Sequence, residues 1–193
     1  MRITSGKYKH KKIATSMKGV TTEYRPTAER TRLAVINLLM HSKHVVEGII
    51  NSAVVADICC GSGAFGFELI SRGAAKVLFI DKDHNQVRLA KKNAEYLGEE
   101  SNCRFITADG TLLPRAMDKC NIMYIDPPYR SGAPAKIVES LYKQQWFAPN
   151  HAVVIEMSAK EDFIAPEYFE ILDSREYSST RIILGQFKEV PQE

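Results

Sequence analysis

A chain of 193 residues with 45% hydrophobic and 25% charged side chains has the make-up of a globular protein, and the length to bury a full core in one domain. No apolar run approaches the ~18 residues a membrane span needs. The opening Met1-Arg2-Ile3-Thr4-Ser5-Gly6-Lys7 lacks the apolar stretch of a signal peptide, so a cytoplasmic protein without membrane contact is expected. The net charge of +3 is unevenly spread: residues 1–32 carry nine basic side chains against Glu23 and Glu29, a local +7 that leaves −4 for the rest. A cationic segment on a mildly acidic body suits a polyanionic partner or, equally, a solvated surface. Cys59, Cys60, Cys103 and Cys120 form no Cys-x-x-Cys pair, and the five histidines are scattered. Reduced thiols and no structural metal are expected.

Residues 1–20 read as a basic β-hairpin extension, with strands over 1–4 and 12–15 around Gly6, and residues 21–193 as the main domain. Lys7, Lys9, Lys11 and Lys12 stand where they can reach phosphates, while Tyr8 either stacks on a base or packs on its own fold. Thr27 is the expected N-cap of an amphipathic helix over about 28–41, entered through Pro26. Its apolar face is Leu33, Ile36 and Leu39/Met40, with Glu29, Arg30 and Arg32 elsewhere. Strands over 53–58, 76–80, 104–107 and 120–125 then alternate with helices over 64–72 and 84–97, the pattern of a parallel sheet with crossover helices. A helix over 134–143, an apolar strand over 152–157, and a pair of strands over 169–177 and 181–187 complete a seven-stranded α/β sheet.

Four constellations carry chemistry, each at the end of a strand, where an open α/β sheet binds ligands. Asp57-Ile58-Cys59-Cys60-Gly61-Ser62-Gly63-Ala64-Phe65-Gly66 places glycines at 61, 63 and 66 between strand and helix. They allow a tight turn and a close approach of backbone to ligand. Dehydrogenases use the same spacing for a dinucleotide. Asp57 tips the choice, because a carboxylate suits the cationic amino-acid moiety of S-adenosylmethionine and repels a pyrophosphate. Cys60, Gly61, Ser62, Gly63 and Gly66 are the accompanying cofactor residues. Asp81, about twenty residues past the first glycine, is placed to accept from ribose hydroxyls. Asp109 stands where class I methyltransferases bind the adenine amino group, although Asp109-Gly110 is also a common turn.

The fourth constellation is Asp126-Pro127-Pro128-Tyr129. Two prolines cannot continue a ladder, so they end the strand and hold a carboxylate, two carbonyls and an aromatic ring rigidly at its tip. The stretch resembles motif IV, (Asp/Asn/Ser)-Pro-Pro-(Tyr/Phe), of methyltransferases that modify exocyclic amino groups of nucleobases. Such an amine is a poor nucleophile because its lone pair is delocalised into the ring. Asp126 and the Pro127 carbonyl, accepting its hydrogens, favour the pyramidal nucleophilic form, and Tyr129 would stack on the base. A cytosine-C5 enzyme is not expected, since no Pro-Cys supplies an attacking thiol.

With these residues in place the chain resembles the RsmD family, the bacterial 16S ribosomal RNA guanine-N2 methyltransferases. Met1 to Lys9 resembles the family's opening. Arg25-Pro26-Thr27 with Glu29-Arg30-x-Arg32 resembles its Arg-Pro-Thr-x-Asp-Arg-x-Arg signature, and Asp57 to Gly66, continued by Glu68 and Ser71-Arg72-Gly73-Ala74, its cofactor loop and first helix. The resemblance implies a class I S-adenosylmethionine-dependent methyltransferase: a Rossmann-like, mostly parallel seven-stranded sheet with helices on both faces, behind a small N-terminal hairpin. It implies S-adenosyl-L-methionine as cofactor, Arg25 and Thr27 as further cofactor contacts, and Arg30 beside the lysines on RNA. The implied partner is 16S rRNA in the assembled or nearly assembled small subunit, met by a monomer. Leu33, where a glutamate is common, and Asp81, where glutamate is more frequent, depart from the pattern. An adenine-N6 methyltransferase and a non-catalytic rRNA-binding assembly factor remain the alternatives.

Overall fold

A computed structural model describes residues 1–17 and 26–188, with residues 26–28 described in backbone alone. In chain order the elements are α1 (Pro26–His41), β1 (Val54–Ile58), α2 (Ala64–Ser71), β2 (Lys76–Asp81), α3 (His84–Leu97), β3 (Cys103–Thr107), β4 (Cys120–Ile125), α4 (Ala133–Lys143), β5 (Phe147–Ser158), β6 (Phe169–Tyr177) and β7 (Thr180–Phe187). One seven-stranded sheet runs in the order β3-β2-β1-β4-β5-β7-β6. Neighbours among β1 to β5 pair in parallel, and β7 is antiparallel to both β5 and β6. This is the mostly parallel sheet that the strand–helix alternation predicts, in the Rossmann-like class I methyltransferase arrangement that the resemblance implies. No helix among the described residues is long and apolar enough to cross a membrane.

The strands read as unbroken apolar runs because both of their faces are covered. Val55, Val77, Phe79, Ile122 and Val154 pack against α1, α2 and α3. Ala56, Leu78, Ile80, Met123 and Ile155, one residue out of phase, pack on the other face with Ile137, Val138 and Leu141 of α4. α3 starts where Asp83 caps the Asn85 N–H and stops at Gly98, which adopts a left-handed conformation.

Three expectations change. The expected strands over 1–4 and 12–15 reduce to one bridge, Arg2 to Lys12, flanked by Ile3 N–H to Lys11 C=O (3.0 Å) and Ile13 N–H to Met1 C=O (2.9 Å). The ladder does not spread because His10 is in the left-handed region (φ 72°) and the intervening turn bonds to α2 instead, Lys7 N–H to Ser71 C=O at 2.7 Å. Ile3, Tyr8 and Ile13 of this segment are buried in the main core. β5 starts five residues earlier than its apolar run, since Cys120 pairs with Phe147 and the register shifts before Ile122 meets Ala152. α1 begins at Pro26 rather than about residue 28, and its Arg32, expected on the polar side, is only 6% exposed.

Candidate active site

The sheet order reverses between β2-β1 and β4-β5, and the crevice above that switch point is where such folds bind ligands. The register brings Ile58, Ile80 and Ile125 level. The residues that follow β1, β2, β3 and β4 therefore gather at one edge. Backbone bonds carry the ladder into the loops: Cys60 N–H to Ile80 C=O at 3.0 Å and Asp126 N–H to Ile58 C=O at 3.2 Å. Asp57, Cys60, Asp81, Asp109 and Asp126 converge there.

Within the glycine loop, Asp57 is 1% exposed and accepts from the Gly66 N–H at 3.0 Å, so it ties loop to helix while lining the cavity from beneath. Burial pushes its carboxyl up to about 7 against the pull of that N–H. Gly66 is required by close approach, because a Cβ there would run into the Phe79 ring and the Val77 side chain. Gly61 (φ +53°) differs, for a Cβ on it would meet nothing within 4 Å, which leaves an open cradle of backbone. Gly63 caps α2 without a side-chain bond, and the Ser62 carbonyl accepts from Asn93 Nδ2 at 2.9 Å. Asp81 steadies the same loop by accepting from Gly61 N–H at 3.0 Å, and it also accepts from Asp83 N–H at 2.9 Å. A carboxylate has about four acceptor sites, so Asp81 retains capacity for ribose hydroxyls. Asp109 is exposed and caps a 3-10 turn at Gly110–Leu112; the Thr111 N–H and hydroxyl, each at 2.8 Å, hold its carboxyl below the usual range. This open backbone cradle flanked by carboxylates fits a cationic nucleoside of the S-adenosylmethionine type.

Beside the loop lies a cavity of about 110 Å³ lined by Arg32, Asp57, Cys59, Cys60, Ala64, Phe65, Tyr124, Asp126 and Glu156. Asp126 is half-buried, and burial followed by the charges of Glu156 and Asp57 raises its carboxyl well above the ordinary value. Pro127 is buried beneath it, while Pro128 and Tyr129 face outward. The Tyr129 ring is 45% exposed, yet its hydroxyl is anchored, 2.7 Å from Thr180 Oγ1 and 3.4 Å from Glu156 Oε1. Tyr124 stacks on Phe65 with centroids 3.9 Å apart and donates to Glu156 Oε2 at 2.6 Å. Burial pushes the Cys59 thiol up to about 12, so it is no nucleophile at neutral pH.

The family model described as Conserved hypothetical protein 95 matches residues 1–186. The chain belongs to this family, the RsmD family. A Buchnera aphidicola (subsp. Acyrthosiphon pisum) relative named Ribosomal RNA small subunit methyltransferase D is 30% identical over 86% of the chain and 82% of its own length. The solved structure of yhhF from Escherichia coli superposes with a TM-score of 0.81 at 24% identity, covering 97% of this chain and 98% of that one. A ribosomal protein L11 methylase from Lactobacillus delbrueckii subsp. bulgaricus gives 0.59 at 15% identity, over 83% and 79%.

In this RsmD-family chain the N-terminal lysines differ among themselves. Lys9, Lys11 and Lys12 are exposed, as is Arg30 on α1. Lys11 Nζ lies 5.7 Å over the Tyr8 ring and 5.6 Å over that of Tyr96. Lys7 is paired with Glu99 at 2.9 Å, and Tyr8, of its two readings, packs on its own fold, buried with its hydroxyl on the same carboxylate. Arg25 and the Thr27 side chain lie outside the described residues. Sequence reasoning passed over Glu156 and Arg32 as site residues. Glu156 had a readable signal, an acid inside the apolar run Val153-Val154-Ile155-Glu156-Met157. Arg32 had only its place in the Arg-Pro-Thr signature, because helical spacing sets it beside Glu29 on what reads as the wet side.

Proposed function

We propose that the chain transfers a methyl group from S-adenosylmethionine to the exocyclic N2 of a guanine in 16S rRNA, within the assembled or nearly assembled small subunit. The observation that carries this reading is the Asp126-Pro127-Pro128-Tyr129 tip standing beside the glycine loop at the switch point. The relatives named Ribosomal RNA small subunit methyltransferase D support the rRNA substrate. Bound in the cradle, the cofactor would supply an electrophilic methyl on a sulfonium.

The remaining work falls to this chain. A base leaves its stack to enter, and Tyr129, held by Thr180, offers it a fixed face. Asp126 and the Pro127 carbonyl accept the two amine hydrogens and orient the nitrogen lone pair toward the methyl, which makes the step largely one of positioning. As the N–C bond forms, positive charge grows on nitrogen next to Asp126, and the departing proton has a carboxylate of raised proton affinity to receive it.

Labelled methyl transfer to unmodified small subunits, followed by nucleoside mass spectrometry, tests the reading. N2-methylguanosine is the expected product; N6-methyladenosine would favour the adenine enzyme, and no label would favour an assembly factor. The basic segment makes a separate prediction. Neutralising Lys9, Lys11 and Lys12 together should weaken subunit binding and flatten the dependence of log K on log salt by roughly 0.7 for each phosphate no longer neutralised. Neutralising Lys7 alone should change the slope less, since Glu99 already holds its ammonium. An unchanged slope in the triple variant would remove this segment from the RNA interface.

A further inference from the structure

We infer that Glu156 is the residue that selects guanine, its carboxylate accepting from the base N1–H while Asp126 accepts from the adjacent N2 amine. The inference rests on the exocyclic-amine chemistry proposed above and supplies what the Asp-Pro-Pro-Tyr tip lacks, a reason for one base over another. Ile125 of β4 pairs with Ile155 of β5, so Asp126 and Glu156 follow each other side by side across two strands and line the same cavity. Glu156 is 8% exposed, and its two oxygens are not equally used. Oε2 takes the Tyr124 hydroxyl at 2.6 Å, whereas among the described residues Oε1 has only the Tyr129 hydroxyl at 3.4 Å, and that hydroxyl sits closer to Thr180. An acceptor site on Oε1 is left for a ligand.

Burial raises the Glu156 carboxyl, and the Tyr124 and Tyr129 hydroxyls, then the charge of Arg32 on the same cavity, oppose that rise. Among the described residues, Arg32 Nε and Nη2 have no hydrogen-bond partner although the side chain is buried. Buried donors of this kind call for an acceptor. The cavity thus presents one set of donors and two neighbouring acceptors. The Watson–Crick edge of guanine is the complement: carbonyl O6, then N1–H, then the N2 amine. Adenine with its amine on Asp126 would turn the N1 lone pair onto the Glu156 carboxylate, and 2-aminopurine, which keeps the N2 amine, would do the same.

The test compares wild type, Glu156→Gln and Glu156→Asp on small subunits reconstituted with guanine or 2-aminopurine at the acceptor position. Wild type should favour guanine by roughly a hundredfold or more in kcat/KM. Glu156→Gln, whose amide can donate to N1, should narrow that ratio by roughly tenfold or more by losing rate on guanine and gaining it on 2-aminopurine. Cofactor affinity by calorimetry reports whether the fold is kept, and Glu156→Asp carries the test if the glutamine variant fails there. That variant keeps the charge but draws it back, and should slow guanine without gain on 2-aminopurine. A guanine preference unchanged in both variants, with N2-methylguanosine still made by wild type, overturns the role of Glu156 alone. Wild type making N6-methyladenosine and no N2-methylguanosine overturns the base assignment, and the role with it.

Discussion

Asp126→Ala should lower the rate of methyl transfer by roughly 10²–10³-fold or more, the scale seen when a preorganised group facing developing charge is removed. Affinity for S-adenosylmethionine should stay within a few-fold of wild type. The separation follows from position. The groups proposed for the cofactor are the Gly61 backbone, Asp57, Asp81 and Asp109; Asp126 makes no side-chain bond to any of them, although it shares its cavity with Asp57. What alanine removes is the acceptor on the amine and the receiver of its proton. Asp126→Asn is the sharper variant, since it keeps the shape and one acceptor but loses the negative charge; it should retain more activity than alanine and still fall well below wild type. Single-turnover transfer from labelled cofactor gives the rate, and calorimetry the affinity. Transfer at the wild-type rate in the alanine variant would sink the mechanism, while a large loss of cofactor affinity would move Asp126 to the cofactor.

Much of this arrangement was legible in the chain because it depends on local signals. α3 was legible from the spacing of Val87, Ala90, Ala94 and Leu97, and the structure ends it at the Asp83 cap and at Gly98. β4 was legible because an apolar run stops at two prolines. The sequence order of Asp57, Asp81, Asp109 and Asp126 translated into one edge because parallel strands all end on the same side. What resisted reading was set by partners distant in sequence. Tyr8 could be read both ways, and what settles it on its own fold is Glu99, 91 residues away, at its hydroxyl. Arg32 looked wet because nothing near it in sequence shows that Glu68 and the acids around Tyr124 will surround it. The N-terminal residues alternate well enough for strands, but past the Arg2–Lys12 bridge the Thr4, Lys7 and Tyr8 amides bond to Glu68 and Ser71 of α2, and a hairpin this short has too little ladder of its own to compete.

That dependence on α2 concentrates in Glu68, and Glu68→Ala should cost about 3–5 kcal/mol of stability, the penalty for breaking a buried ion pair from one side. For a chain of this size the melting temperature should fall by roughly 6–20 °C, at 2–4 °C per kcal/mol. Glu68 is 0% exposed and accepts from the Thr4 N–H (3.1 Å to Oε2), the Thr4 hydroxyl and Arg72 Nε (3.2 Å), with Arg32 Nε 4.0 Å away. Alanine would leave the Arg32 and Arg72 guanidiniums without their shared carboxylate and the Thr4 groups without an acceptor. Glu68→Gln, which keeps the acceptor but not the charge, should lose less. Hydrogen exchange adds a spatial prediction: the Thr4 amide, and with it the bonds of Lys7 and Tyr8 to Ser71, should lose protection before the β4 amides do. The consequence for function runs through Asn93, which holds both Ala14 and the Ser62 carbonyl. Releasing the basic segment from α2 should therefore loosen the glycine loop as well and, under the proposed function, weaken cofactor and subunit binding together. A variant that melts within about 1 °C of wild type would mean that Arg72 and Thr4 find other partners and that the segment is held by the apolar contacts of Ile3 and Ile13 and the bonds of Lys7 and Tyr8 to Ser71 and Glu99.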